Sequence, residues 1–310
     1  MKEYDPGEIA IALFAFNRPS HLEKSLESLK SNMEAPLSNL TIFVDGPRNL
    51  EERPLVDEVL NIARQTQGFK STRVIESPIN RGLSKSIISG VTCILEESET
   101  VIVLEDDLIV SKHFLSFMLR GLVKFKMETR VASIHGYIPE LGIEIEQPFF
   151  LRGADCWGWA TWRDRWEQSE WDGTILHEEI KANRLVSRFN FDGAYDYLGM
   201  LERQISGEND SWAVRWHASM YIQNRLTLYP NKSLVTNIGM DGSGRHSSIS
   251  NEYDTALTQN ELTLQDILIE EDESVRELFK KFFNRNKKVN KGGRSMRILR
   301  KILTKLRKLI

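Results

Sequence analysis

The sequence predicts an α/β protein with a mostly parallel, doubly wound sheet, and three observations carry that expectation. Four short strand-like runs alternate with helical patterns: Ile9–Phe16, Leu40–Val44, Thr72–Glu76 and the apolar, mostly β-branched Val101–Leu104. Runs of this kind, apolar on both faces and separated by helices, are the pattern of interior parallel strands. Each run also ends in polar residues, so Asn17 and Arg18, Asp45, Asn80 and Arg81, and Glu105 to Asp107 are expected to converge at the carboxyl edge of one sheet, where open α/β sheets bind their ligands.

The last of these runs is the most informative. Val101-Ile-Val-Leu104 leads straight into Glu105-Asp-Asp107. Adjacent carboxylates at the end of a buried strand repel one another and lose solvation, so they call for a cation or a hydrogen-bonding ligand. Their oxygens suit Mg²⁺ or Mn²⁺ held by one or two carboxylates plus the phosphates of a substrate. An acidic surface turn is the plainer alternative.

The first run ends at Asn17-Arg-Pro-Ser20, which opens a helix. Pro19 suits the first turn, Ser20 and Glu23 have capping-box spacing, and Leu22, Leu26 and Leu29 keep a helical period. Asp45-Gly-Pro47 closes the second run, a sequence that also makes ordinary turns. Asn80-Arg-Gly82 precedes a third helix with apolar positions Leu83, Ile87, Ile88, Val91, Ile94 and Leu95. Arg130–Tyr137 and Phe149–Arg152 read as a fifth and a sixth strand.

Five of the seven tryptophans, at 157, 159, 162, 166 and 171, fall within fifteen residues. They read either as core packing or as an aromatic wall against which sugar rings stack. Asp210-Ser-Trp212 then opens a helix over 213–226, and Asp210 is its natural N-cap. His217 reads as a packed helical residue. Two short extended pieces, Leu226–Lys232 and Leu234–Asn237, precede a glycine-rich stretch, Gly239–His246. That stretch is either a plain surface loop or a lid that brings Arg245 and His246 over a diphosphate. Residues 247–277 are polar and acidic, with helical stretches.

The order Phe-Asn-Arg-Pro, Val-Asp-Gly, Asn-Arg-Gly-Leu and Leu-Glu-Asp-Asp along residues 9–250 resembles the inverting, metal-dependent glycosyltransferases of the GT-A type. The Glu-Asp-Asp variant is similar to that of N-acetylglucosaminyltransferases and of bacterial enzymes that build surface polysaccharides. The resemblance implies a GT-A fold, with Arg18 and Asp45 at the nucleotide base and phosphates, Asp106 at the ribose, Glu105 at the donor sugar and Asp107 at Mn²⁺ or Mg²⁺. Asn17, Asn80, Arg81, Arg245 and His246 join the donor site, Asp210 is the catalytic base, and Asp155, Trp157 and Trp159 face the acceptor. The donor it implies is a nucleotide sugar, a UDP-sugar first, and the acceptor a glycan or a lipid-linked saccharide. Two rivals stand beside it. A sugar-phosphate nucleotidyltransferase would carry a glycine-rich loop after the first strand, where Phe-Asn-Arg-Pro has no glycine. A nucleotide-sugar-binding protein without turnover would keep the same residues.

Composition and charge complete the expectation. At 310 residues with 41% hydrophobic content the chain suits one elaborated domain. The two cysteines are too few for a disulfide framework, and Cys93 falls in an apolar helical pattern. Met1–Glu8 is polar and no run approaches a membrane span, so a cytoplasmic protein is expected. The net charge of −3 conceals an uneven distribution: the last 33 residues hold 13 Lys or Arg and no acid, leaving 28 basic against 44 acidic residues before them. A globular domain is therefore expected over 1–277, with a nucleotide-binding half at 9–110 and an acceptor half at 130–250, followed by a basic tail at 278–310. Within the tail, 294–310 is a basic amphipathic helix that suits an anionic membrane at the inner face of the cell. A helix docked on the body, a dimer contact or an RNA-binding tail are the alternatives, and no nucleic acid is expected.

Overall fold

The computed structural model describes residues 9–241 and 252–287. In chain order the elements are β1 (Ile9–Ala15), α1 (Pro19–Lys30), β2 (Ser38–Val44), α2 (Arg53–Gln65), β3 (Ser71–Glu76), α3 (Leu83–Glu97), β4 (Thr100–Glu105), β5 (Leu108–Val110), α4 (Phe114–Lys124), β6 (Val131–His135), β7 (Phe149–Arg152) and β8 (Trp159–Trp162). Then follow α5 (Arg163–Glu167), α6 (Gly173–Ala182), α7 (Val186–Phe189), α8 (Tyr197–Ile205), α9 (Trp212–Ile222), β9 (Leu226–Tyr229), β10 (Val235–Asn237) and a helix over residues 273–287, α10. Eight strands form one sheet in the order β3-β2-β1-β4-β8-β6-β9-β7, and β5 pairs with β10 beside it.

The expected mostly parallel α/β sheet is therefore present. β3, β2, β1 and β4 are mutually parallel, β8 runs antiparallel between β4 and β6, and β6 pairs parallel with β9. Alternation along each strand divides the core between the two faces. Ile11 and Leu13 of β1 join Ile102 and Leu104 of β4 under α1, α2 and α4, whereas Ala12, Phe14, Val101 and Val103 pack beneath α3 and α9. That two-sided burial is why the strand sequences are apolar without interruption.

Several local expectations are corrected. Pro19 does occupy the first turn of α1, but Arg18 is its N-cap residue and no side chain caps the helix, so the Ser20–Glu23 box does not form. Trp159–Trp162 is a buried strand; with its neighbours on both sides it has no open face to present. Residues 252–272 contain no helix, and α10 crosses the expected boundary at 277. Val275, Phe279 and Phe282 are buried against the body, and Arg276 pairs with Asp192 at 3.0 Å, so the domain extends at least to 287. No helix among the described residues is long and apolar enough to cross a membrane. Arg245, His246 and the segment 294–310 lie outside the described residues.

Candidate active site

Strand register brings the predicted residues together. Ala15 pairs with Val44, Val44 with Glu76, and Phe14 with Glu105. The carboxyl ends of β1 to β4 therefore stand side by side, and the residues that follow them share one edge. Asp45 N–H donates to Ala15 O at 3.0 Å and Asp106 N–H to Phe14 O at 2.9 Å, which carries the ladder one residue past the strands.

Asp45 is 8% exposed, and the main chain holds its carboxylate. Oδ1 accepts from Gly46 N at 3.0 Å and Arg81 N at 2.8 Å, and Oδ2 accepts from Gly82 N at 2.9 Å. Asn80 Nδ2 adds a bond to Gly46 O at 2.8 Å. Asp45 and Asn80 thus fix the turn that enters α3; of Arg81 only the backbone takes part, its side chain being exposed. Asn17 turns toward Glu52, with Nδ2 to Oε1 at 3.4 Å.

Asp106 is 2% exposed, with Oδ2 accepting from Phe16 N at 3.3 Å and Oδ1 paired with Arg18. Both oxygens are engaged inside the protein, and Asp106 orients Arg18. Arg18 Nη1 reaches on to Asp107 Oδ2 at 2.9 Å. Burial works against the Arg18 charge, yet the two aspartates outweigh it and raise the guanidinium above its ordinary value. Burial also pushes Asp106 up to about 6, with Arg18 pulling it back, and pushes Glu105 up to about 8, with Asp107 and Asp106 adding to the rise. Burial is the largest cause of both rises, so the buried strand end favours the neutral form of Glu105.

Asp107 is the member of the cluster that suits a cation. Its side chain is 13% exposed, and the backbone of Gly239 closes one side of it. A Cβ on Gly239 would stand 2.2 Å from Asp107 Oδ2 and 3.0 Å from Arg18 Nη1, so the close approach requires glycine there. Among the described residues no group of three His, Cys, Asp or Glu forms a metal cage. A cation at this place would have Asp107 as its protein carboxylate, beside the Arg18 guanidinium 2.9 Å away.

Asp210 is exposed and lies against the same edge. A Cβ on Gly82, whose φ is +81°, would stand 3.2 Å from Asp210 Oδ2. Arg215 of α9 ties the two elements, bonding to Ser84 at the start of α3 and to Trp171 O at 3.1 Å. The N-cap of α9 is Ser211, which accepts from Val214 N at 3.3 Å, so Asp210 is not the cap and its carboxylate is not committed to the helix.

On the other side of β4 stands the loop before β8, because Val103 pairs with Trp159 and the residues ahead of Trp159 run past the acid cluster. Asp155 is there, its Oδ1 accepting from Cys156 N at 2.8 Å and its Oδ2 from Tyr229 Oη at 3.2 Å. His135 is fully buried; its Nε2 accepts from Trp157 N at 3.1 Å, and its Nδ1 stands 3.8 Å from Asp155 Oδ2. Trp157 is half-buried and edge-on to Tyr137 and Tyr253, with centroids 4.7 and 5.8 Å apart. Trp159, by contrast, is 1% exposed and packs against Trp166, Trp212 and Trp216. It belongs to the core and cannot touch an acceptor. His217 is buried as expected, bonded to Ala154 O at 2.7 Å and stacked on Tyr197.

Sequence reasoning missed His135, Tyr137, Tyr229, Tyr253 and Gly239. The signal that found Asp45 and Asp107, polar residues at the end of an apolar run, also marks His135-Gly-Tyr137 after β6.

No family model matches this chain, and no curated protein sequence matches it either. Among solved structures, it is similar to the mannosyltransferase PcManGT from Pyrobaculum calidifontis in complex with GDP-Man and Mn²⁺, with 12% identity and a TM-score of 0.34, over 45% of this chain and 39% of that one. It is also similar to a cytidylyltransferase from Leptospira borgpetersenii, with 12% identity and a TM-score of 0.34, over 52% of this chain and 62% of that one. A third is TarS of S. aureus, with 15% identity and a TM-score of 0.29, over 45% of this chain and 23% of that one. The chain thus spans less than two thirds of the length of each. What it does has to be read from its own residues.

Proposed function

We propose that this protein is a metal-dependent inverting glycosyltransferase of GT-A type. It moves a sugar, N-acetylglucosamine or another hexose, from a nucleoside diphosphate, UDP first, to a hydroxyl of a glycan or a lipid-linked saccharide. The observation that carries the reading is the juxtaposition at one sheet edge of the Arg18–Asp106–Asp107 cluster, Asp210 and the Asp155–Trp157 loop. Asp107 would hold a divalent cation, which when bound would neutralise charge on the diphosphate leaving group. Arg18, held by Asp106, adds a fixed positive charge beside it.

In this reading Asp210 takes the proton from the acceptor hydroxyl as that oxygen attacks the anomeric carbon. The bond from that carbon to the diphosphate breaks on the opposite face, and no residue is required as a covalent nucleophile. Asp155 and Trp157 hold the acceptor, the tryptophan through its ring face and the carboxylate through a sugar hydroxyl. Arg245, His246 and the basic segment 294–310 extend the proposal to a lid over the diphosphate and to a peripheral anchor on the inner face of the cell membrane. Sedimentation with anionic vesicles tests the anchor: a truncation ending at 293 that still co-sediments removes it.

The test of the whole reading is a screen of nucleotide sugars for thermal stabilisation, with and without Mn²⁺, followed by a transfer assay with the best donor. Stabilisation that depends on Mn²⁺, together with transfer, is expected. Absence of any metal-dependent nucleotide binding contradicts the reading, and binding without transfer or donor hydrolysis leaves the binding-protein alternative.

A further inference from the structure

The sheet edge that carries the acid cluster continues well past it. β6 and β9 run in the same direction as β4, and β8 in the opposite one, so the carboxyl ends of β6 and β9 and the start of β8 all lie on that edge. Going outward from β4 the order is therefore the Asp155–Trp157 loop, then Tyr137 after β6, then Asn231 after β9. Tyr137 packs edge-on against Trp157, and its hydroxyl donates to Tyr253 O at 2.9 Å. The chain segments that leave these two tyrosines, 138–145 and 255–260, line a cavity of about 480 Å³ whose third wall is Asn231–Ser233. The cavity begins where the aromatic wall beside Asp155 ends.

Its size falls in the roughly 300–1,000 Å³ range of small-molecule sites, and its lining alternates aliphatic and hydrogen-bonding groups. Ile138 and Ile143 stand among Glu140, Asn231 and Lys232. Asn231 Nδ2 is committed to Ile145 O at 3.0 Å and Glu146 O at 3.1 Å, while its Oδ1 is buried with no partner in the protein. Held by these two bonds, the Asn231 side chain is a fixed part of the wall. Asn231, Lys232 and Asn260 also border a second depression of about 400 Å³. A row of subsites with alternating apolar and polar walls suits a chain of sugar rings, each with C–H faces and hydroxyl rims.

We propose that this cavity seats the sugars preceding the reacting residue of the acceptor, so that the acceptor is an oligosaccharide laid along the sheet edge. The proposal rests on the glycosyl-transfer reading of the neighbouring acid cluster. The full chain, with UDP or GDP and Mn²⁺, is probed on an array of mono- to hexasaccharides, and the strongest ligand and its terminal monosaccharide are then titrated by calorimetry. Glycans of two or more residues should bind about tenfold more tightly than the monosaccharide, the effect of one or two added hydrogen bonds. Ala256→Trp and Ile143→Trp, both at exposed positions on the cavity wall, should each erase that preference and leave nucleotide binding unchanged. Equal binding of monosaccharide and oligosaccharide, no glycan binding at all, or a length preference that survives both substitutions overturns the proposal. Nucleotide binding without a length preference removes this inference alone. A length preference without nucleotide binding removes the transferase reading and leaves a glycan site.

Discussion

The two sides of the sheet edge hold their carboxylates by different means. On the β1–β4 side, Asp45 is fixed by three main-chain N–H groups and Asp106 by Phe16 N and Arg18, and both are nearly out of contact with solvent. On the β8–β9 side, Asp155 is held by one main-chain N–H and a tyrosine hydroxyl, and its side chain stays 36% exposed. Main-chain donors cannot be exchanged by mutation, so the first side fixes the path of its own turns whatever side chains surround it. The second side is built from side chains, so its specificity can be changed without disturbing the sheet.

That contrast can be broken at several points, beginning with turnover. Asp210 is not engaged as a helix cap, so Asp210→Asn should lower kcat by roughly 10²–10⁴-fold, as for a lost general base, with donor affinity and Tm nearly unchanged. Steady-state kinetics with donor and acceptor varied separately check this, and a near-normal kcat removes Asp210 from the chemistry.

The next effect separates two tryptophans only two residues apart. Trp159→Ala should destabilise the fold by about 3–5 kcal/mol, because it empties the centre of a packed indole cluster. Trp157→Ala should cost little stability and instead raise the acceptor KM. Urea denaturation beside acceptor titration distinguishes them, and similar stability losses in both would mean that Trp157 is core as well.

A smaller effect is expected at Asp45. Asp45→Asn turns an amide N–H₂ toward donors that now face a carboxylate, which should cost about 1–3 kcal/mol and weaken the nucleotide by loosening the entry to α3. Asp155→Asn should leave stability within experimental error. If the two substitutions cost the same, the difference between the two sides is not real.

The inner strands of the parallel half, β2, β1 and β4, were legible in the sequence because they are covered on both faces and so appear as apolar runs, whereas β3 is an edge strand with no buried residue. The edge residues were legible for the same reason, since a buried strand that ends in Asp-Asp or Asp-Gly marks where the core stops. β8 was not legible: Trp-Ala-Thr-Trp gives no strand length or alternation that a packed aromatic patch would not also give. Which tryptophan faced outward depended on β4 and β6 flanking that segment, a nonlocal fact. The partners of Asp45 and Asp106 were not legible either, because sequence shows a carboxylate but not the N–H groups that converge on it. The basic excess of the tail masked the apolar face of α10, where Phe279 and Phe282 bury against the body.

The role proposed for Asp107 is to hold a divalent cation for a nucleoside diphosphate. Isothermal titration of UDP and GDP into the wild type and Asp107→Asn, each with Mn²⁺ and with chelator, tests it most directly. Mn²⁺-dependent binding is expected in the wild type and should collapse to the chelator level in the variant, with an unchanged Tm in the absence of ligand. Equal Mn²⁺-dependent affinity in the two proteins would contradict it.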